Sequence, residues 1–110
     1  MEKRKRRSDR THIVYRLTNT STGETYIGIT VSTGRAYKRS LTERWKRHVS
    51  RAMYQSHDWS ICRSIREWGP GAFSREIISL VRGKAQAHSI ETQLIHEQRP
   101  ALNSTIKGTC

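Results

Sequence analysis

The spacing of apolar residues switches three times along this chain, and that switching restricts the fold more than any other feature. His12 to Leu17 reads His-Ile-Val-Tyr-Arg-Leu, and Thr25 to Thr30 reads Thr-Tyr-Ile-Gly-Ile-Thr. Both runs are rich in β-branched and aromatic types, as strands are. Thr18 to Glu24 between them is dense in turn formers, so the pair reads as an antiparallel hairpin. Residues 31–39 read as a polar, basic loop containing Gly34. The spacing then lengthens. Leu41, Trp45, His48, Val49, Ala52 and Met53 mark one face of an amphipathic helix that starts near Ser40 or Thr42. A second helix is expected from about Asp58 to Trp68, with Ile61, Cys62, Ile65 and Trp68 inward and Gly69-Pro70-Gly71 ending it. Phe73 to Val81 suits a third strand, closed by Gly83. A last helix over Lys84 to Gln98 carries Ala87, Ile90, Leu94 and Ile95 on its apolar face, and Arg99-Pro100 stops it. The sum is a small mixed α/β (α+β) domain: hairpin, two helices, strand, helix.

With 110 residues, 34% of them hydrophobic, there is material for one domain with a modest core. The charge is the more telling number. Twenty-one Lys and Arg stand against nine Asp and Glu, for a net +12. Such a field attracts polyanions, nucleic acid first and anionic membrane second. No apolar run approaches the roughly 18–20 residues that would span a bilayer, and no apolar segment follows the basic N-terminus. Cys62, inside a helical pattern, and the terminal Cys110 do not form a disulfide framework, which points to an intracellular setting. Residues 1–11 read as a basic disordered arm. Lys3, Arg4, Lys5, Arg6, Arg7 and Arg10 outweigh Glu2 and Asp9 there, suiting non-specific phosphate contact.

Some residues stand out against these patterns. Glu91 lies four residues after Ala87, three before Leu94 and four before Ile95, on an apolar helix face. An ionised carboxylate there is costly unless it reaches solvent, pairs with a cation or binds a metal. Arg44 and His48 are four apart on the first helix, so both side chains occupy one side of it. Arg clamps phosphate oxygens and His relays protons near neutral pH, although Arg44, Lys46, Arg47 and Arg51 also make an ordinary basic helix face. Tyr15 and Tyr26 can meet across the hairpin, as packing or as phenols near a water. Asn103 closely follows the last helix, a usual place for a turn or cap. The His and Cys residues lack zinc-ligand spacing, and no phosphate-binding glycine loop is present.

Order and spacing give these residues a joint meaning. Ile13-Val14-Tyr15, ten intervening residues and Tyr26-Ile27-Gly28 resemble the two strand motifs of the GIY-YIG nucleases. Arg44-Trp45-Lys46-Arg47-His48 is similar to that family's helix with an arginine and a histidine four residues on. Trp68-Gly69, Phe73 and Ile77-Ile78 resemble its approach to the third strand. Glu91 and Asn103 fall where the family places a metal-binding glutamate and a closing asparagine. The likeness covers about residues 12–104, leaving 105–110 as a polar tail, and departs where Ile13 and Val14 replace the family's usual Gly and Ile.

The resemblance implies a small three-stranded antiparallel sheet flanked by helices. It also implies a metal-dependent endonuclease that hydrolyses phosphodiester bonds of double-stranded DNA. Tyr15, Tyr26, Arg44, His48, Glu91 and Asn103 would form its site. Glu91 would hold Mg²⁺, with Mn²⁺ as a substitute. Lys3, Arg4, Lys5, Arg6, Arg7, Arg35, Lys38, Arg39, Lys46, Arg47 and Arg51 would contact DNA. One site cuts one strand, so double-strand cutting needs a homodimer on the DNA or two visits. Small members of this kind resemble phage or homing enzymes, which fits the cytoplasm of a bacterial or phage-infected cell and no membrane. The competing reading is a non-catalytic basic module that binds DNA or RNA.

Overall fold

The structure is a computed structural model, and it describes residues 10–55 and 59–103. Strands β1 (Thr11–Asn19) and β2 (Thr25–Val31) are followed by helices α1 (Tyr37–Tyr54) and α2 (Ser60–Trp68), strand β3 (Phe73–Arg82) and helix α3 (Lys84–Gln98). Short 3-10 turns at Pro70–Ala72 and Ala101–Asn103 join them. The sheet order is β2-β1-β3, antiparallel throughout. The expected three-stranded sheet flanked by helices is therefore present.

The hairpin turn owes its shape to Asn19. This fully buried side chain accepts the Ser21 N–H at 2.9 Å and the Thr22 N–H at 3.3 Å, and donates through Nδ2 to Ser64 Oγ at 3.0 Å. One residue thus folds its own turn and pins it to α2. Gly23, at φ +81°, supplies the left-handed position that completes the reversal.

Strand alternation divides the core in two. Ile13, Tyr15, Leu17 and Tyr26 face α1 and α2, where they pack with Leu41, Trp45, Ala52, Ile61, Ile65 and Phe73. Val14, Ile27 and Val81 face the other way, against Ala87 of α3 and its neighbours Ile90, Leu94 and Ile95. β1 is thus buried on both faces, as a central strand between two helical layers must be. With Ile13 and Val14 in the first motif, β1 still pairs residue by residue with β2 from His12↔Val31 to Thr18↔Thr25. Its one irregularity is on the β3 side, where Val14 pairs with Ser79 and Tyr15 with Ile77, so Ile78 is bulged.

Three expectations need correction. α1 begins at Tyr37, so Lys38 and Arg39 lie in its first turn and not in a loop. Ser40, read as a start signal, is already inside the helix. Its Oγ donates back to Ala36 O at 2.7 Å and accepts the Thr33 N–H at 3.0 Å. Met53 and Trp68, expected inward, are 48% and 46% exposed. Met53 sits one position round the helix from the buried stripe that ends at Ala52, and Trp68 is the last residue of α2, where Gly69 turns the chain away. Asp58, the expected start of α2, is outside the described residues, and α2 begins at Ser60.

The free edge of β2 is closed by Asn103. Its Oδ1 accepts the Ile27 N–H at 2.6 Å and its Nδ2 donates to Ile27 O at 2.8 Å. A side-chain amide here makes the pair of bonds that another strand would make. Asn103→Ala is expected to lower stability by about 1–3 kcal/mol through the lost pair, and Asn103→Asp by at least as much, because a carboxylate oxygen would then face a carbonyl. Thermal melts monitored by circular dichroism check both, and unchanged midpoints would refute the latch.

Candidate functional site

Four of the six expected site residues come together on the α1 side of the sheet. Tyr15 of β1 shares a 2.8 Å hydrogen bond with His48 of α1, between the phenol oxygen and Nε2. Arg44, one turn before His48, donates from Nε toward the same oxygen at 3.4 Å. Tyr26 of β2 stacks edge-on against His48, with ring centroids 5.1 Å apart, and lies 6.3 Å from the Tyr15 ring. Trp45 and Phe73, with centroids 5.4 Å apart, support this group. Tyr15 and His48 are fully buried and Tyr26 nearly so. A histidine on an apolar face is thereby held by a phenol 33 residues earlier in the chain.

The tyrosines fit because of a residue that was read only as part of a motif. Gly28 is the cross-strand partner of Tyr15. A Cβ at Gly28 would stand 2.6 Å from the Tyr15 hydroxyl, 2.8 Å from Tyr15 Cζ and 2.9 Å from Tyr26 Cε1. No other side chain leaves this space. Strand register contained the signal, since Tyr15 and Gly28 face each other once the hairpin is folded.

Above this group, a groove of about 230 Å³ runs between the end of β2 and α1, lined by Thr30, Val31, Thr33, Arg39, Ser40, Glu43, Arg44 and Arg47. Its one acidic side chain, Glu43, pairs with Lys46 at 3.5 Å. Three arginines therefore face a concavity, among them Arg44, which also reaches the Tyr15 oxygen. Arg35, Lys38, Lys46 and Arg47 are exposed and Arg51 is half-buried. Lys3, Arg4, Lys5, Arg6 and Arg7 lie outside the described residues.

Glu91 and Asn103 are placed differently. Asn103 grips the backbone of Ile27, between Tyr26 and Gly28, and so steadies the strand that carries both. Glu91 is 7% exposed on α3, the helix across the sheet from α1. Its Oε1 bonds His88 Nδ1 at 2.9 Å, not any of the four clustered residues. His88 is three positions earlier, a spacing that brings side chains together on a helix, so its role was open to sequence reasoning. Among the described residues no group of three or more His, Cys, Asp or Glu converges. Any metal at Glu91 would then take most of its ligands from water and substrate. His88 bonds one oxygen of the Glu91 carboxylate.

Comparison with known proteins bears on the fold and family. The family model described as "Putative endonuclease segE, GIY-YIG domain" matches residues 2–109. Among solved structures, the catalytic domain of the intron endonuclease I-TevI, determined as a mutant, superposes with a TM-score of 0.64 at 24% identity. That superposition covers 91% of this chain and 92% of the other, a likeness of fold. No curated protein matches the sequence. Nearly the whole length is accounted for by one family model, and the chain belongs to the GIY-YIG endonuclease family.

Proposed function

We propose that the chain hydrolyses DNA phosphodiester bonds, with Tyr15 and His48 activating water, Arg44 neutralising the phosphate and Glu91 holding a divalent cation, Mg²⁺ by preference. The observation that carries the reading is the Tyr15 oxygen, bonded to His48 Nε2 and Arg44 Nε, with Arg44 also lining a groove of arginines.

The steps follow from that placement. A phosphate in the groove meets the arginines there, and Arg44 neutralises the charge that builds on its oxygens. Tyr15 passes its proton to His48 Nε2 across their hydrogen bond and takes one from the attacking water. The water oxygen bonds to phosphorus as the P–O bond to the leaving oxygen breaks. Tyr26 holds His48 and the Tyr15 ring in line. A divalent cation on Glu91 would supply positive charge for the leaving oxygen. A purely binding module would have no use for a buried phenol–imidazole pair under a basic groove.

Wild type is expected to nick or linearise plasmid DNA with Mg²⁺ and to stop with a chelator. Glu91→Ala should lose cleavage by about 100-fold or more while binding duplex DNA as before. Metal-dependent cutting at wild-type rate by that variant would remove Glu91 from the mechanism. Gly28→Ala should keep its circular-dichroism spectrum but move the Tyr15 hydroxyl, and displacement of a catalytic group on that scale costs about 100-fold in rate. A fully active Gly28→Ala protein would show that the tyrosine positions do not matter.

A further inference from the structure

We infer a second phosphate-binding groove, continuous with the one beside Arg44, that carries the flanking duplex from the cleavage site across the β2–α1 connection to the start of β1. The inference rests on the nuclease reading for the identity of the polyanion, and deepens it by saying which way the DNA runs.

A concavity of about 490 Å³ is lined by Arg10, Thr11, Ser32, Thr33, Gly34, Arg35 and Tyr37. Thr33 also lines the groove beside Arg44, so the two share a wall. The second concavity presents two arginines and no carboxylate. Two others on the protein are different in kind. One mixes Arg63 with Glu24 and Glu67, and the other mixes Lys38 and Arg75 with Glu76. Acidic side chains punctuate those surfaces and would repel a phosphate backbone, whereas, among the described residues, the path from Arg44 and Arg47 through Arg39 to Arg35 and Arg10 holds Glu43 alone.

The walls of this path are braced. Ser32 N–H donates to Thr11 O at 2.8 Å, Ser32 Oγ to Gly34 O at 2.9 Å, and Ser40 Oγ accepts from Thr33 N–H at 3.0 Å. The carbonyl of Arg10 accepts from Gly83 N–H at 3.0 Å and from the His12 ring at 2.8 Å. The Arg10 backbone is therefore fixed while its side chain is exposed. Two exposed guanidinium groups beside the hydroxyl-bearing Thr11, Thr33 and Tyr37 suit a sugar-phosphate backbone, without base readout.

The test compares two double variants that remove equal charge: Arg10→Gln with Arg35→Gln, and Arg63→Gln with Arg75→Gln. Binding to a labelled mixed-sequence duplex is followed by fluorescence anisotropy over a range of salt, in chelator. Each phosphate contact contributes about 0.9 to the slope of log affinity against log salt. The first pair should weaken binding and flatten that slope by about two, and the second should leave the slope at wild type. A wild-type slope in the first pair, or equal flattening in both, overturns the groove. Neither outcome depends on cutting. A flattened slope confined to the first pair, together with no metal-dependent cleavage by wild type, would keep the groove and sink the nuclease reading instead.

Discussion

A buried hydrogen bond joins the sheet to the first helix where the chemistry is expected: Tyr15 to His48, 2.8 Å long. In low dielectric such a bond is stronger than in water, and leaving either partner unsatisfied would be costly. Much of the surrounding packing keeps it in place. Gly28 leaves room for the phenol, Tyr26 and Trp45 enclose the imidazole, and Phe73 backs Trp45. Arg44 sits one helical turn away and shares the phenol oxygen. In this small domain, core and candidate site are the same set of side chains.

That overlap explains what could be read in advance. The order of elements follows from the switching periods of the apolar residues, and the Tyr15–Tyr26 pairing from the hairpin. The Arg44–His48 pairing follows from the four-residue spacing on a helix. These are local regularities. Contacts between distant residues were beyond this reasoning. Asn19 meets Ser64 across 45 positions and Asn103 meets Ile27 across 76. Nothing local marks either asparagine as more than a turn former. The first turn of α1 was missed for a physical reason too. It has neither an acidic residue nor a side-chain cap, so the usual start signal is absent and Ser40 attracted it instead.

Glu91 shows how periodicity and environment combine. Its position on an apolar stripe signalled a costly carboxylate, and the structure leaves it nearly buried with a histidine on one oxygen. What spacing could not give is that α3 packs on the face of the sheet opposite α1, which the alternation of β1 between its two buried faces fixes.

The Asn103 amide also bears on how the molecule behaves among its own copies. An outer strand with open N–H and C=O groups is a template on which another chain can continue the sheet. At Ile27 both groups are already engaged from within the same molecule. A basic protein that gathers at high local density along a polyanion would bring many such edges close together. At that one point of the β2 edge, the last turn of the fold occupies the place an incoming strand would need.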